Sequence, residues 1–263
     1  MNNKSLTLTP LTTLPLIKQG DDLPTLIWQA LQQEGIDLCD EDILVITQKI
    51  VSKAEGRIVD LAEVTPSQKA FEIAAQSQRD PRLVELILQE SKEILRITPE
   101  VIVVEHRLGF ICANAGIDQS NIEPLEPSQP NGKSHQPVLL LPIDVNASAE
   151  KIKNALETLS GKRLGVLIID TQGRAWRMGV VGMSIGLAGL SPLEDMRGEV
   201  DLFGKPLRIT MIAAADELAA AASLMMGQAA EGKPVVHVRG YPYPLREGIF
   251  SQLLRNKQSD LFR

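Results

Sequence analysis

A chain of 263 residues is long enough for one large domain or two modest lobes with a full core. Its 27 Lys+Arg against 33 Asp+Glu give a net charge of −6, which argues against a broad nucleic-acid surface but leaves room for a local basic pocket facing a phosphorylated ligand. Two cysteines, Cys39 and Cys112, supply neither a disulfide framework nor a zinc ligand set. No apolar run reaches membrane-spanning length. The opening "MNNKSLTLTPLTTLPLI" lacks the basic start and long apolar stretch of a signal peptide, so a reduced, cytoplasmic, soluble protein is expected.

The opening reads as extended, interrupted by Pro10 and Pro15. Asp21 and Asp22 can cap a helix running to about Gln33, apolar at Leu23, Leu26, Ile27, Ala30 and Leu31 and stopped by Gly35. "ILVI" (43–46) predicts a buried strand, followed by a polar connection and a second extended piece. Amphipathic helices are expected over 67–78 and 81–93, with Pro81 in a first turn. "VIVVEHRLGFICANAG" predicts a hairpin turning near residues 106–109. The proline-rich stretch 119–137 predicts a long flexible loop. "VLLLPI", a helix over 148–159 and "RLGVLIID" suggest a βαβ unit. An Ala-rich helix over 213–226, a strand "PVVHV" and a terminal helix over 246–256 complete the chain. Hairpins mixed with a single βαβ unit favour an α+β fold, and no linker divides the 263 residues into independent domains.

Several short stretches carry candidate chemistry. In "LGVLIIDTQGRAWRMGVVG", Asp170 and Thr171 fall where the predicted strand ends, and their oxygens suit a hard divalent cation. The alternative is a tight turn in which Asp170 bonds its own backbone. In "AGIDQSN", Asp118 could add a further oxygen and Asn121 a polar contact; an Asx-turn opening the loop is the competing reading. "TQKIVSKAEGR" sets Lys49, Lys53 and Arg57 behind a buried strand, placed for phosphate or carboxylate or simply solvated. "MGQAAEGKPVV" imitates the start of a P-loop, but Pro234 replaces the required Ser or Thr, and a helix precedes the loop where a strand should. Lys233 and the glycines could still meet phosphate by another geometry. His106, His135 and His237 share no metal spacing, and there is no Gly-x-Ser-x-Gly elbow.

In order, "LPLI", "TQKIVSKAEGR", "AGIDQSN", "IIDTQGRAWRMG", "SIGLAGL" and "ADELAAAASLMMGQAAEGKPVVHVRG" resemble the coenzyme F420-0:L-glutamate ligase family, GTP-dependent γ-glutamyl ligases of a deazaflavin coenzyme. The likeness spans essentially the whole chain. It implies a two-lobed α+β fold in an intertwined homodimer, with 1–263 forming one ligase unit. By resemblance, Asp118, Asp170, Thr171 and Gln228 are expected to hold Mg²⁺ or Mn²⁺, with potassium as a further ion. Leu14, Pro15, Leu16 and Ile17 are expected to meet the nucleotide, together with Gln48, Lys49, Lys53 and Asn121. The same holds for the loop Met226, Gly227, Gln228, Ala229, Ala230, Glu231, Gly232 and Lys233. Asp118, Asp170, Arg174 and Arg177 are the expected catalytic residues, the two arginines being placed by their position behind Asp170, beyond what the resemblance implies, to face anionic ligands.

The implied reaction uses GTP to activate the terminal carboxylate of F420-0 as an acyl phosphate, which the amine of L-glutamate then attacks; further γ-linked glutamates could follow. Such chemistry needs charge neutralisation and alignment, with no covalent nucleophile. Some relatives carry a C-terminal flavin-binding extension, and that second activity is not expected for a chain ending at Arg263. A metal-dependent nucleotide phosphohydrolase, a ligase for another carboxylate acceptor and a non-catalytic nucleotide-binding module are the alternatives.

Overall fold

A computed structural model describes residues 5–123 and 135–260. Most of the predicted loop, residues 124–134, lies outside the described residues. In chain order the elements begin with β1 (Thr7–Pro10), α1 (Leu23–Gln33), β2 (Ile43–Thr47), α2 (Gln48–Ala54) and β3 (Ile58–Asp60). Then come α3 (Gln68–Ser77), α4 (Pro81–Gln89), β4 (Ser91–Thr98), β5 (Val101–His106), β6 (Ile111–Ala113) and β7 (Pro137–Leu139). The remainder is α5 (Val145–Ser160), β8 (Gly165–Arg174), β9 (Arg177–Ala188), β10 (Glu194–Asp195), β11 (Met211–Ile212), α6 (Ala214–Met226) and β12 (Val235–Arg239).

The fold is mixed, as α+β predicts. Its centre is a five-stranded sheet ordered β1-β12-β2-β8-β9, in which only β2 and β8 run parallel. Side chains alternate across a strand, and here the alternation separates two cores. Leu44, Ile46, Val166 and Ile168 join a large core with α1, α3, α4 and α5. Ile43, Val45, Leu167 and Ile169 face the other way, against the small side chains of α6 (Ala215, Ala219 and Ala222).

Close approach on both faces depends on glycine in β9. A Cβ at Gly182 would stand 2.6 Å from Ser223 Cβ and 2.7 Å from the Ala219 carbonyl oxygen of α6, and one at Gly186 would stand 2.4 Å from Val145 Cγ1 of α5. A register shift falls between Ile168 and Ile169, where Ile168 pairs with Gly186 and Ile169 with Ser184. This is a β-bulge, which leaves the extra residue, Ile185, on β9.

Several local expectations are corrected. The polar connection after Ile46 is the helix α2, whose seven residues are too few to show a helical period. Helix α4 ends at Gln89, and the charged stretch after it forms β4, paired with β5. β7 pairs with β3 in a separate two-stranded sheet, so β7, α5 and β8 are not a βαβ unit. In place of a terminal helix there are only 3-10 turns, Phe250–Leu253 and Lys257–Ser259. Asp22 takes the N-cap position of α1 without a side-chain cap; its carboxylate accepts from Thr25 Oγ1 at 2.6 Å, while Asp21 accepts from the Lys18 N–H.

Candidate active site

β2 ends at Thr47, paired with Ile169, but β8 continues to Arg174 and turns back into β9 through Ala175 and Trp176. Asp170 therefore does not end its strand. It is the first residue of β8 beyond its neighbour β2, and the tight-turn reading of residues 170–173 does not hold. The exposed edge of this extension is where α2, the 118–121 segment and the loop after α6 arrive.

Asp170 alternates onto the face of Val166 and Ile168 and lies within electrostatic reach of Asp118 and Lys49. Lys49 Nζ lies 2.8 Å from Asp118 Oδ2 and donates to Ser120 Oγ at 2.7 Å. The Ser120 N–H and hydroxyl both donate to Asp118 Oδ1 at 2.7 Å, so the Asx-turn is present as well. One turn along α2, Lys53 Nζ donates to the Asn121 carbonyl oxygen at 2.7 Å. Asn121, in the left-handed region with φ 55°, reaches across with Nδ2 to the Ala229 carbonyl oxygen at 3.0 Å. Elements far apart in sequence thus close into one site.

The electrostatics match this convergence. Burial pushes the Asp170 carboxyl up to about 6; the Asp118 charge adds to the rise, while the Thr171 N–H, the Gln172 amide and Lys49 oppose it. Burial also pushes Asp118 up, but Lys49 and Ser120 outweigh it and hold that carboxyl below its ordinary range. Burial and the Lys49 charge lower Lys53, against the pull of Glu123 and Asp118. Cys112 of β6 is driven to about 12, chiefly by burial and then by the Asp170 charge.

Thr171 faces α6. Its hydroxyl donates to Gln228 Oε1 at 3.1 Å, and Gln228 Nε2 reaches Ser223 Oγ at 3.4 Å. The four expected metal ligands thus divide into an Asp118–Asp170 pair and a Thr171–Gln228 pair, on opposite sides of β8. Among the described residues no cluster of three or more His, Cys, Asp or Glu side chains could hold a metal ion. The available set is two carboxylates, a hydroxyl and an amide oxygen. The donor chemistry of such an all-oxygen set, with its two carboxylates, fits a hard divalent cation.

The loop from Gly227 to Lys233 follows the C-terminus of α6, so the arrangement is the reverse of a P-loop. Gly227 and Gly232 take positive φ (76° and 67°), and the Ala229 N–H donates to Glu231 Oε2 at 2.8 Å. Backbone N–H groups, first that of Ala229, hold the Glu231 carboxyl below its ordinary range. Met226 is buried, whereas Ala230 and Lys233 are exposed and half-buried, respectively. Gln48 is buried; its Oε1 accepts from Ser52 Oγ at 2.8 Å, and its Nε2 has no hydrogen-bond partner among the described residues.

Other expected residues stand apart. Ile17 is in the large core, Leu14 packs against it, and Pro15 and Leu16 are exposed. That segment reaches α2 through the Gly20 N–H, which donates to the Ala54 carbonyl oxygen at 2.9 Å. Arg174 shares a face with Asp170 but lies about 13 Å further along the strand, where Nη2 donates to the Met178 carbonyl oxygen. Arg177 is exposed on the returning strand. Sequence reading missed Ser120 and Ser223, which join the predicted residues to one another; the "DQS" spacing of the Asx-turn was the available signal for Ser120.

The sequence model of the F420-0:Gamma-glutamyl ligase family matches residues 12–240. A protein of Methanothermobacter thermautotrophicus named Coenzyme F420:L-glutamate ligase is 51% identical over 252 residues, covering 95% of this chain and 96% of its own. Proteins of the same name from Methanocaldococcus jannaschii and Archaeoglobus fulgidus are each 41% identical, covering 95% and 97% of this chain and 94% and 95% of their own. With its fold, its converging acids and lysines and this end-to-end similarity, the chain belongs to the F420-0:gamma-glutamyl ligase family.

Proposed function

We propose that this protein is a GTP-dependent ligase that forms an amide between L-glutamate and the terminal carboxylate of F420-0. The names of its relatives support the reaction class. The observation that carries the reading to residues is the hydrogen-bonded convergence of Lys49 on Asp118, Lys53 on Asn121 and Asn121 on the glycine-bounded loop, with Asp170, its carboxyl raised by burial, on the adjacent strand.

Asp118 and Asp170 would hold Mg²⁺ or Mn²⁺ on one face of β8, Thr171 and Gln228 would add oxygens from the other, and potassium would be an auxiliary ion. A divalent cation there supplies neutralisation of phosphate charge. Lys49 and Lys53 bind and orient the triphosphate, and N–H groups of the 227–233 loop add donors. The acceptor carboxylate attacks the terminal phosphorus, forming acyl phosphate and releasing GDP. The glutamate amine, having lost its proton to solvent, attacks the acyl carbon and expels phosphate. Alignment is the protein's main contribution. The product presents a new γ-carboxylate, open to the same reaction.

The assembly is a homodimer. Between β10 and β11 the chain forms an arm in which Leu202 is 100% and Phe203 94% exposed, and the β8–β9 tip presents Trp176 and Met178. Large apolar side chains left this exposed suit an interface, and a second copy of the chain carries the same side chains for a two-fold contact.

The test incubates the protein with GTP, Mn²⁺, L-glutamate and F420-0 and reads product masses. Stepwise gain of glutamyl groups, dependent on GTP, is expected. Release of phosphate at the same rate without glutamate or acceptor, with no mass gain, would replace the ligase by a phosphohydrolase. Glutamyl transfer only to another carboxylate would overturn the acceptor.

A further inference from the structure

Lys49 occupies a defined triangle. Its ammonium lies 2.8 Å from Asp118 Oδ2 and 2.7 Å from Ser120 Oγ, and Ser120 itself caps the other Asp118 oxygen. Lys53, one turn away, is engaged elsewhere, at the Asn121 carbonyl oxygen, so Lys49 is the cation committed to this carboxylate. Asp118 is also the group whose charge reaches Asp170. A divalent cation and a lysine ammonium cannot share one carboxylate oxygen at bonding distance, because their repulsion in a partly buried site far exceeds thermal energy. A lysine stem is long and flexible enough to turn away without moving its helix. An ammonium leaving Asp118 next to a second lysine needs a new anion, and a triphosphate on the same site supplies one.

We infer that Lys49 is an exchangeable partner: it yields Asp118 to the divalent cation and passes to the phosphates of the nucleotide, so that cation and nucleotide bind cooperatively. This rests on the cation and nucleotide site proposed above and adds the coupling between them. Coupling through one side chain is reciprocal, so each ligand tightens the other by the same factor.

The test is calorimetric titration of the full-length protein with Mn²⁺, alone and with a non-hydrolysable GTP analogue. For the unaltered protein the analogue is expected to tighten Mn²⁺ about tenfold. Lys49→Met is expected to bind Mn²⁺ alone about tenfold more tightly, with the effect of the analogue largely lost. Ser120→Ala, which removes one anchor of the ammonium but none of its charge, is expected to shift Mn²⁺ affinity the same way by a smaller factor. Lys49→Arg is expected to retain the coupling. Circular dichroism checks that each variant is folded, and Lys49→Gln is measured beside Lys49→Met as a second neutral variant. Mn²⁺ affinity that is unchanged or weaker in both neutral Lys49 variants overturns the exchange. Asp118→Asn separates this from the site itself: Mn²⁺ binding undiminished in that variant overturns the metal site, whereas its loss alongside an inert Lys49→Met overturns the exchange alone.

Discussion

His237 Nε2 lies 2.8 Å from Asp42 Oδ2, both side chains buried, at the start of β2 and so at the opposite end of the central sheet from Asp170. Arg239 grips the same carboxylate with Nε at 3.0 Å and Nη2 at 2.7 Å, and the Cys39 N–H adds a fourth bond at 2.8 Å. Burial pushes Asp42 up, but Arg239, His237 and Cys39 prevail and bring it down to about 2. The stability it contributes is present above its ordinary value of 3.8 and is lost as pH falls toward 2. Asp42→Ala should destabilise the fold by about 3 kcal/mol at neutral pH, since the Arg239 guanidinium loses its buried anion and the His237 ring and Cys39 N–H lose their acceptor. Urea unfolding at pH 7 and pH 3 measures both the loss and its shrinkage in acid, and Mn²⁺ binding should be unaffected.

Asp170 has the reverse sign. Its carboxyl is raised from 3.8 to about 6, so the stability of its protonated form is complete below about pH 4 and disappears as pH rises through 6. Asp170→Asn should therefore raise stability by about 2 kcal/mol at pH 7.5 while abolishing divalent-cation binding and turnover. Thermal unfolding in chelator-treated buffer at pH 4 and 7.5 tests this; a variant less stable than the original at pH 7.5 would contradict it.

Gly182 and Gly186 allow α6 and α5 to approach β9. Gly182→Val and Gly186→Val should each cost about 2 kcal/mol or more through overpacking. Gly182 pairs with Thr171, so the first variant should also displace the Thr171–Gln228 contact and weaken Mn²⁺ binding, whereas the second should mainly lower stability. Chemical denaturation together with metal titration separates the two effects.

The Glu231 carboxylate lies against N–H groups of a loop proposed to meet phosphate. It competes with that anion, and Glu231→Gln should tighten binding of a GTP analogue severalfold and make that binding more salt-sensitive, since a repulsion that salt had screened is gone. Weaker binding in the variant would show that the carboxylate organises the loop.

If the proposed homodimer uses this arm, Leu202→Ser with Phe203→Ser should shift the mass measured by light scattering from dimer to monomer while leaving circular dichroism unchanged.

Much of the fold could be read from local pattern. Helices α1, α3, α5 and α6 follow from apolar spacing, from Ser67 and Asp144, whose side chains cap α3 and α5, and from the left-handed Gly161 that ends α5. Pairing could not be read, because adjacency in sequence does not say which strands meet: Val138 and Leu139 turn away from β8 to join β3. β4 was hidden because "SKEILRIT" lies half-exposed and reads as the charged tail of a helix. At the site, the acids were visible as polar residues following apolar runs. The partnership of Lys49 with Ser120 was not, because it joins positions 71 residues apart, and neither was the division of Asp170 and Thr171 between two sides of one strand.

That division limits how the hairpin can drift over evolutionary time. An insertion or deletion of one residue between Gly165 and Asp170 would swing the acid toward α6 and the hydroxyl toward α2, exchanging the two halves of the proposed site at a stroke. The extra residue carried by β9 opposite this stretch absorbs the shift on the partner strand, so the frame of β8 itself, from Gly165 to Asp170, is what keeps acid and hydroxyl on their own sides.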